Sequence, residues 1–78
     1  MVYMEQLLEI LENLKPSVDF ANETHLVTEG HLDSFDIVNL VNELNNEYDI
    51  EITASDLVFE NFDSAAAILA LVERLQDE

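Results

Sequence analysis

The amino-acid sequence predicts an all-α fold, a small four-helix bundle with three long helices, one short helix and a long first loop. Three observations predict it. Apolar residues recur at i, i+3, i+4 and i+7 in three separate stretches, the pattern of amphipathic helices. A single glycine and a single proline in 78 residues leave too little turn chemistry for an all-β domain. The length suits one domain, spanning 1–78, which hides about 60% of its unfolded surface. Apolar residues make up 49% of the chain, enough for a compact core.

The first helix carries Met4, Leu7, Leu8, Leu11 and Leu14 on one face, with Glu5, Glu9 and Glu12 opposite. Lys15 suits the negative end of its dipole and Pro16 stops it. From Pro16 to Asp33 there is no sustained period over 18 residues, long for a structureless loop in a compact domain. Val18, Phe20, Leu26, Val27 and Leu32 are expected to pin it across the bundle as a crossover; an active-site lid is the alternative. Gly30 is expected to supply a turn that other residues find strained.

The second helix carries Ile37, Leu40, Val41, Leu44 and Tyr48 on one face. At about 100° per residue, Phe35 falls almost opposite the centre of that arc, and Val38 lies off it on the side of Asn42. Such an exposed aromatic residue either covers the preceding loop or binds something. Thr53-Ala-Ser-Asp56 reads as a capping box with Asp in the Glu position. It should open a short helical turn containing Leu57 and Val58, with Phe59 as a further candidate. The last helix carries Ile68, Leu71, Val72 and Leu75, after Asp63 or Ser64 as N-cap.

Charge narrows the function. Eighteen acids against Lys15 and Arg74 give a net charge of −16. Two cations cannot neutralise a nucleic acid backbone or hold an anionic membrane. Partners are expected to be proteins with basic patches, drawn in by long-range steering; the alternative is that the acids only keep a small domain soluble. The absence of cysteine removes disulfides, thiolate nucleophiles and Cys-type zinc sites. The longest apolar run, Ala65 to Val72, is eight residues, far short of a membrane span. Neither a basic n-region nor an apolar h-region opens the sequence, so no secretory signal is expected.

Ser34 stands between Asp33 and Phe35 in the first turn of the second helix. It is a ready N-cap, and Asp33 is another. With Asp33 as the cap, the Ser34 hydroxyl would stand outside the helix beside Phe35 and Val38. A phosphodiester there would meet the positive end of the helix dipole and its free N–H groups.

The segment Glu29-Gly-His-Leu-Asp-Ser-Phe-Asp36, followed by Asn45-Asn-Glu-Tyr-Asp-Ile-Glu-Ile52, resembles the acyl carrier protein family. The family hallmark is an Asp-Ser-Leu or Asp-Ser-Phe triplet opening the second helix, with its serine esterified by 4′-phosphopantetheine. Glu60-Asn-Phe-Asp-Ser64, then Ala67-Ile68, resembles the entry to the family's last helix. The resemblance covers essentially the whole chain, including its acidity, long first loop and four helices. It implies Ser34 as the attachment site with Asp33 beside it. It also implies Phe35, Asp36, Val38, Asn39 and Asn42 as the face that partner enzymes recognise, Asp33 and Asp36 meeting basic partner residues.

The chain departs from the family pattern at particular positions. His31 stands where many members carry an aliphatic residue. Asn39, Asn42, Asn45 and Asn46 replace positions often acidic or apolar in fatty-acid carriers, so the recognition helix is less negative than the whole chain. The triplet and the Asn-Phe-Asp-Ser segment look more like stand-alone carriers of polyketide, nonribosomal-peptide or D-alanyl-transfer systems.

Other chemistries do not fit. An Asp33, Ser34 and His31 triad lacks both a pocket and a Gly-x-Ser-x-Gly elbow. His25 and His31 show no compact ligand pattern, and no calcium loop is in register. No metal site is expected beyond diffuse binding of divalent cations to acid pairs. The resemblance therefore implies a monomeric cytoplasmic carrier and not an enzyme. A phosphopantetheinyl transferase would move the arm from coenzyme A to Ser34. The arm would hold acyl or aminoacyl groups as thioesters for loading and transferring enzymes, its tether raising their effective concentration at each active site. The competing reading is an acidic interaction module, an inhibitor or charge mimic, in which Ser34 is merely a cap.

Overall fold

The computed structural model describes residues 3–77. They form three α-helices, α1 (Met4–Leu14), α2 (Ser34–Tyr48) and α3 (Ala65–Gln76), with two 3-10 turns at Ala54–Asp56 and Phe59–Asn61. No strand occurs among the described residues. No helix among them is long and apolar enough to cross a membrane.

Each helix turns its periodic apolar face inward. Leu7 and Leu11 of α1, Leu40, Leu44 and Tyr48 of α2, and Ala65, Ile68, Leu71 and Val72 of α3 share one core. Met4, Leu8, Leu14, Ile37, Val41 and Leu75 pack half-buried around it. α1 lies against both α2 and α3, and the second 3-10 turn rests on α3.

The expected crossover is present. Phe20, Leu26 and Leu32 are buried and Val18 and Val27 half-buried, so the segment between α1 and α2 is anchored by its side chains. Asp63 fixes it further. Its carboxylate accepts from the N–H groups of Val27 (2.9 Å) and Thr28 (3.0 Å) and from the Thr28 hydroxyl (2.8 Å), and its carbonyl accepts from the Leu26 N–H (2.8 Å). The Thr28 N–H is the chief cause of an Asp63 pKa below the ordinary value. Burial opposes this, and the Thr28 hydroxyl and Val27 N–H add to it. That leaves Ser64 as the α3 N-cap, accepting from the Ala67 N–H (3.1 Å).

The expected fourth, short helix takes another form. The Asp56 carboxylate accepts from the Thr53 N–H and hydroxyl, both at 3.2 Å, and one 3-10 turn follows. It goes no further, because the Asp56 carbonyl accepts from the Val58 N–H (2.9 Å) and from Asn61 Nδ2 (2.8 Å), which diverts it from helical propagation. Leu57 and Val58 therefore link two 3-10 turns, with Val58 extended at φ −110°, ψ 143°, the conformation a β-branched side chain favours. Phe59 opens the second turn.

Candidate functional site

The site begins where the anchored crossover meets α2. Gly30 adopts φ +80°, a left-handed conformation that glycine reaches without steric cost. The chain then closes on itself as the Leu32 N–H donates to the Leu26 carbonyl (2.9 Å). Leu32 is buried, so Asp33 and Ser34 emerge at the surface.

Asp33 is the N-cap of α2. The Asp36 N–H donates to its carboxylate (2.9 Å), and Asp36 Oδ2 accepts from the Asp33 N–H in return (3.2 Å). This reciprocal box satisfies two of the donors a helix start leaves free. Ser34 is the first helical residue, exposed, with its hydroxyl outside the cap. Of the two arrangements open to the sequence, the fold takes the one that frees the serine.

The same Asp36 oxygen accepts from Lys15 Nζ (3.0 Å), which joins the end of α1 to the start of α2. Burial alone would raise the Asp36 pKa. The hydrogen bond from Lys15, the Asp33 N–H and the nearby Lys15 charge outweigh it, and the net shift is below the ordinary carboxylate value. Lys15 therefore meets a side chain of α2.

Beside Ser34 lies an open groove of about 570 Å³. Its walls are mainly apolar, with Leu32, Ile37 and Val38 on one side and Leu57, Val58 and Phe59 on the other. Phe35 is 72% exposed, and Val38 and Phe59 are each 57% exposed. Phe35 thus does not cover the crossover. Asn42 is exposed and Asn39 half-buried on the same helix. The residues expected to form the site and its face therefore share the first two turns of α2 and the turn beyond. The groove's opposite wall, Leu57 to Phe59, had been placed by the sequence in a short helix and not beside Ser34; its exposed apolar run was the available signal.

These surroundings fit a phosphodiester-linked arm. The Ser34 hydroxyl is accessible, the Ser34 and Phe35 N–H groups precede the first intrahelical bonds, and the helix dipole favours an anion at that end. The apolar groove offers a surface along which a slender arm could lie.

A second cluster stands in the crossover. His31 Nε2 is 3.2 Å from Glu23 and 3.6 Å from Glu29. The sequence placed no ligand-like grouping around His31; the turn at Gly30 brings Glu29 and His31 back toward Glu23. His25 instead contacts the Thr24 hydroxyl through Nδ1 (3.1 Å).

The family model described as phosphopantetheine attachment site matches residues 5–72. A D-alanyl carrier protein of Lactococcus lactis subsp. lactis (strain IL1403) is 32% identical over 76 residues, covering 95% of this chain and 96% of the relative. D-alanyl carrier protein 1 of Lactiplantibacillus plantarum is 38% identical over 71 residues, covering 90% of this chain and 89% of the relative.

Proposed function

Because this chain belongs to the phosphopantetheine attachment-site family and is a carrier of acyl or aminoacyl groups on a covalent 4′-phosphopantetheine, we propose that Ser34 is the residue that bears the arm. The observation that carries this is the cap. Asp33 takes the capping role at α2, so the serine hydroxyl is left exposed at the positive end of a 15-residue helix. When bound, the group supplies a terminal thiol to hold cargo as a thioester. The chain's own residues anchor and present it. Asp33 and Asp36 fix the helix start, Leu32 pins the approach from the core, and Val38 and the facing Leu57 to Phe59 form the apolar walls of the groove beside the attachment point.

Partner enzymes include the phosphopantetheinyl transferase that installs the arm. We further infer that the cargo is aminoacyl, with D-alanyl the leading candidate. The D-alanyl carrier names of the relatives support this. In this reading residues 1–78 act as a single carrier domain, a monomer in the cytoplasm with no catalytic chemistry of its own. Phe35, Asp36, Val38, Asn39 and Asn42 form its recognition face, and the net charge of −16 draws partners that carry basic surface.

Intact mass tests the site. Incubation with coenzyme A and a broad-specificity phosphopantetheinyl transferase should add one arm to the wild type and none to Ser34→Ala. An arm on the variant would move the site elsewhere. A wild type that never gains the arm would favour the acidic interaction module. Incubating the loaded carrier with a D-alanine-activating ligase and ATP then checks the cargo by a further mass gain.

A further inference from the structure

The cluster around His31 holds three donor atoms that the chemistry at Ser34 does not use. Glu23 Oε2 lies 3.2 Å and Glu29 Oε1 3.6 Å from His31 Nε2. All three atoms stand within 4.8 Å of one another. Ligand atoms around a tetrahedral zinc lie about 3.4 Å apart, given bonds of about 2.1 Å. Two edges of the triangle already match that spacing. The third, between the carboxylates, is set by Glu29, an exposed and flexible side chain.

The backbone prepares this arrangement. Glu23 Oε1 accepts from the N–H groups of Thr24 and His25, both at 3.1 Å, which leaves Oε2 turned toward His31. The Glu29 N–H donates to the His25 carbonyl (2.9 Å), so the turn that carries Glu29 and His31 is itself fixed. Two carboxylates held this close repel each other unless a positive charge stands between them. The chain's lysine and arginine are engaged elsewhere, Lys15 with Asp36 and Arg74 with Asp56, each at 3.0 Å. The donor set is also mixed, one imidazole nitrogen with two carboxylate oxygens. That sets it apart from pairs of acids, because imidazole suits zinc-like cations while calcium and magnesium take oxygen ligands.

We propose that Glu23, Glu29 and His31 form a binding site for a divalent transition-metal cation of the zinc class. The neutral imidazole ligates through Nε2, and each glutamate through one oxygen. The cation matches two carboxylates that have neither lysine nor arginine beside them. It also joins residue 23 to the 29–31 turn, which ends three residues before Ser34. The unfolded chain does not hold these ligands together, so the metal stabilises the native crossover by mass action. With three protein ligands, a tetrahedral cation keeps one position for water. A localised site of this kind goes beyond the diffuse binding expected of acid pairs.

Zinc chloride titrated into the full-length Ser34→Ala chain tests this, once intact mass confirms that no arm thiol is present to compete. Calorimetry should show one zinc bound per chain. Adding His31→Gln or Glu23→Gln should each weaken binding by at least about tenfold. At about ten times the Kd, zinc should raise the melting temperature by about 6–11 °C. Glu9→Gln, which removes an exposed acid of α1 outside the cluster, should leave the affinity unchanged. Magnesium chloride should bind more weakly than zinc and be indifferent to His31→Gln. Metal-free circular dichroism melts check the fold of each variant, and Glu29→Gln, at an exposed position, replaces any that unfolds. Zinc binding that His31→Gln leaves unaltered, or that Glu9→Gln weakens equally, overturns the proposal in favour of diffuse binding. An absence of saturable zinc binding overturns it too, and leaves His31 as a hydrogen-bond partner of the glutamates. These outcomes are independent of whether the wild type accepts an arm at Ser34.

Discussion

Two residues separate conformation from chemistry at the site. Gly30 has open space where a Cβ would stand but a φ of +80°. Gly30→Ala should therefore destabilise by about 1–2 kcal/mol through backbone strain alone. A thermal melt checks this, and an unchanged melting temperature would mean the turn adapts without cost. Ser34 behaves in the opposite way. Were it the N-cap, Ser34→Ala would cost about 0.5–2 kcal/mol. With Asp33 holding that role, the substitution should leave the melt within about 0.5 kcal/mol of wild type, the range of surface changes away from special features. A clear drop would show that the hydroxyl supports the helix start after all.

On α2 the folding face and the proposed recognition face can be told apart by truncation. Leu44 is fully buried, and Leu44→Ala should cost about 2–5 kcal/mol, a large part of what a domain this small has in hand. Phe35→Ala and Val38→Ala remove side chains that already face solvent, so their melts should stay near wild type while arm attachment slows. Melts and attachment rates measured side by side decide the matter. A Phe35→Ala melt as poor as that of Leu44→Ala would return Phe35 to the core. The periodicity marked this division correctly, because burial follows the helix wheel wherever one face packs. The short helix expected after Thr53 was less legible. Its capping box forms, yet the Asp56 carbonyl is captured by Val58 and Asn61, partners that only the folded turn brings near.

For the molecule as a whole, charge sets the response to salt and acid. With a net of −16, the compact state suffers more self-repulsion than the expanded chain. Raising ionic strength from about 0.01 M to about 0.15 M should raise the melting temperature by screening. Acid acts in two stages. Lowering the pH from 7 toward about 5 begins to protonate ordinary carboxylates and relieves repulsion, so stability should rise slightly. Asp36 and Asp63 oppose this further down, since both pKa values lie below the ordinary 3.8 in the folded protein. The stability they add is complete above the unfolded value and is lost as pH falls through the folded one, so the melting temperature should fall below about pH 4. A steady decline from pH 7 downward, or no effect of salt, would show that the acids are already well spaced.

The sequence by itself determined the three long helices, their inward faces, the anchored crossover and the neighbourhood of Ser34. These depend on spacing along the chain, where a period of 3.6 residues or a cap before a helix is visible without knowing what lies across from it. Tertiary structure alone decided between Asp33 and Ser34 as the α2 cap, and between Asp63 and Ser64 at α3. It also paired Lys15 with Asp36 and set Leu57 to Phe59 opposite Val38. Apart from the Asp33 cap, whose partner Asp36 stands three residues away, each of these depends on contacts between segments remote in sequence. Asp63 is released from capping because it reaches the crossover more than thirty residues away, and the Lys15 side chain meets Asp36 because α1 ends beside the start of α2. Local patterns offer several partners for one polar group, and only packing of the core brings one of them within hydrogen-bond distance.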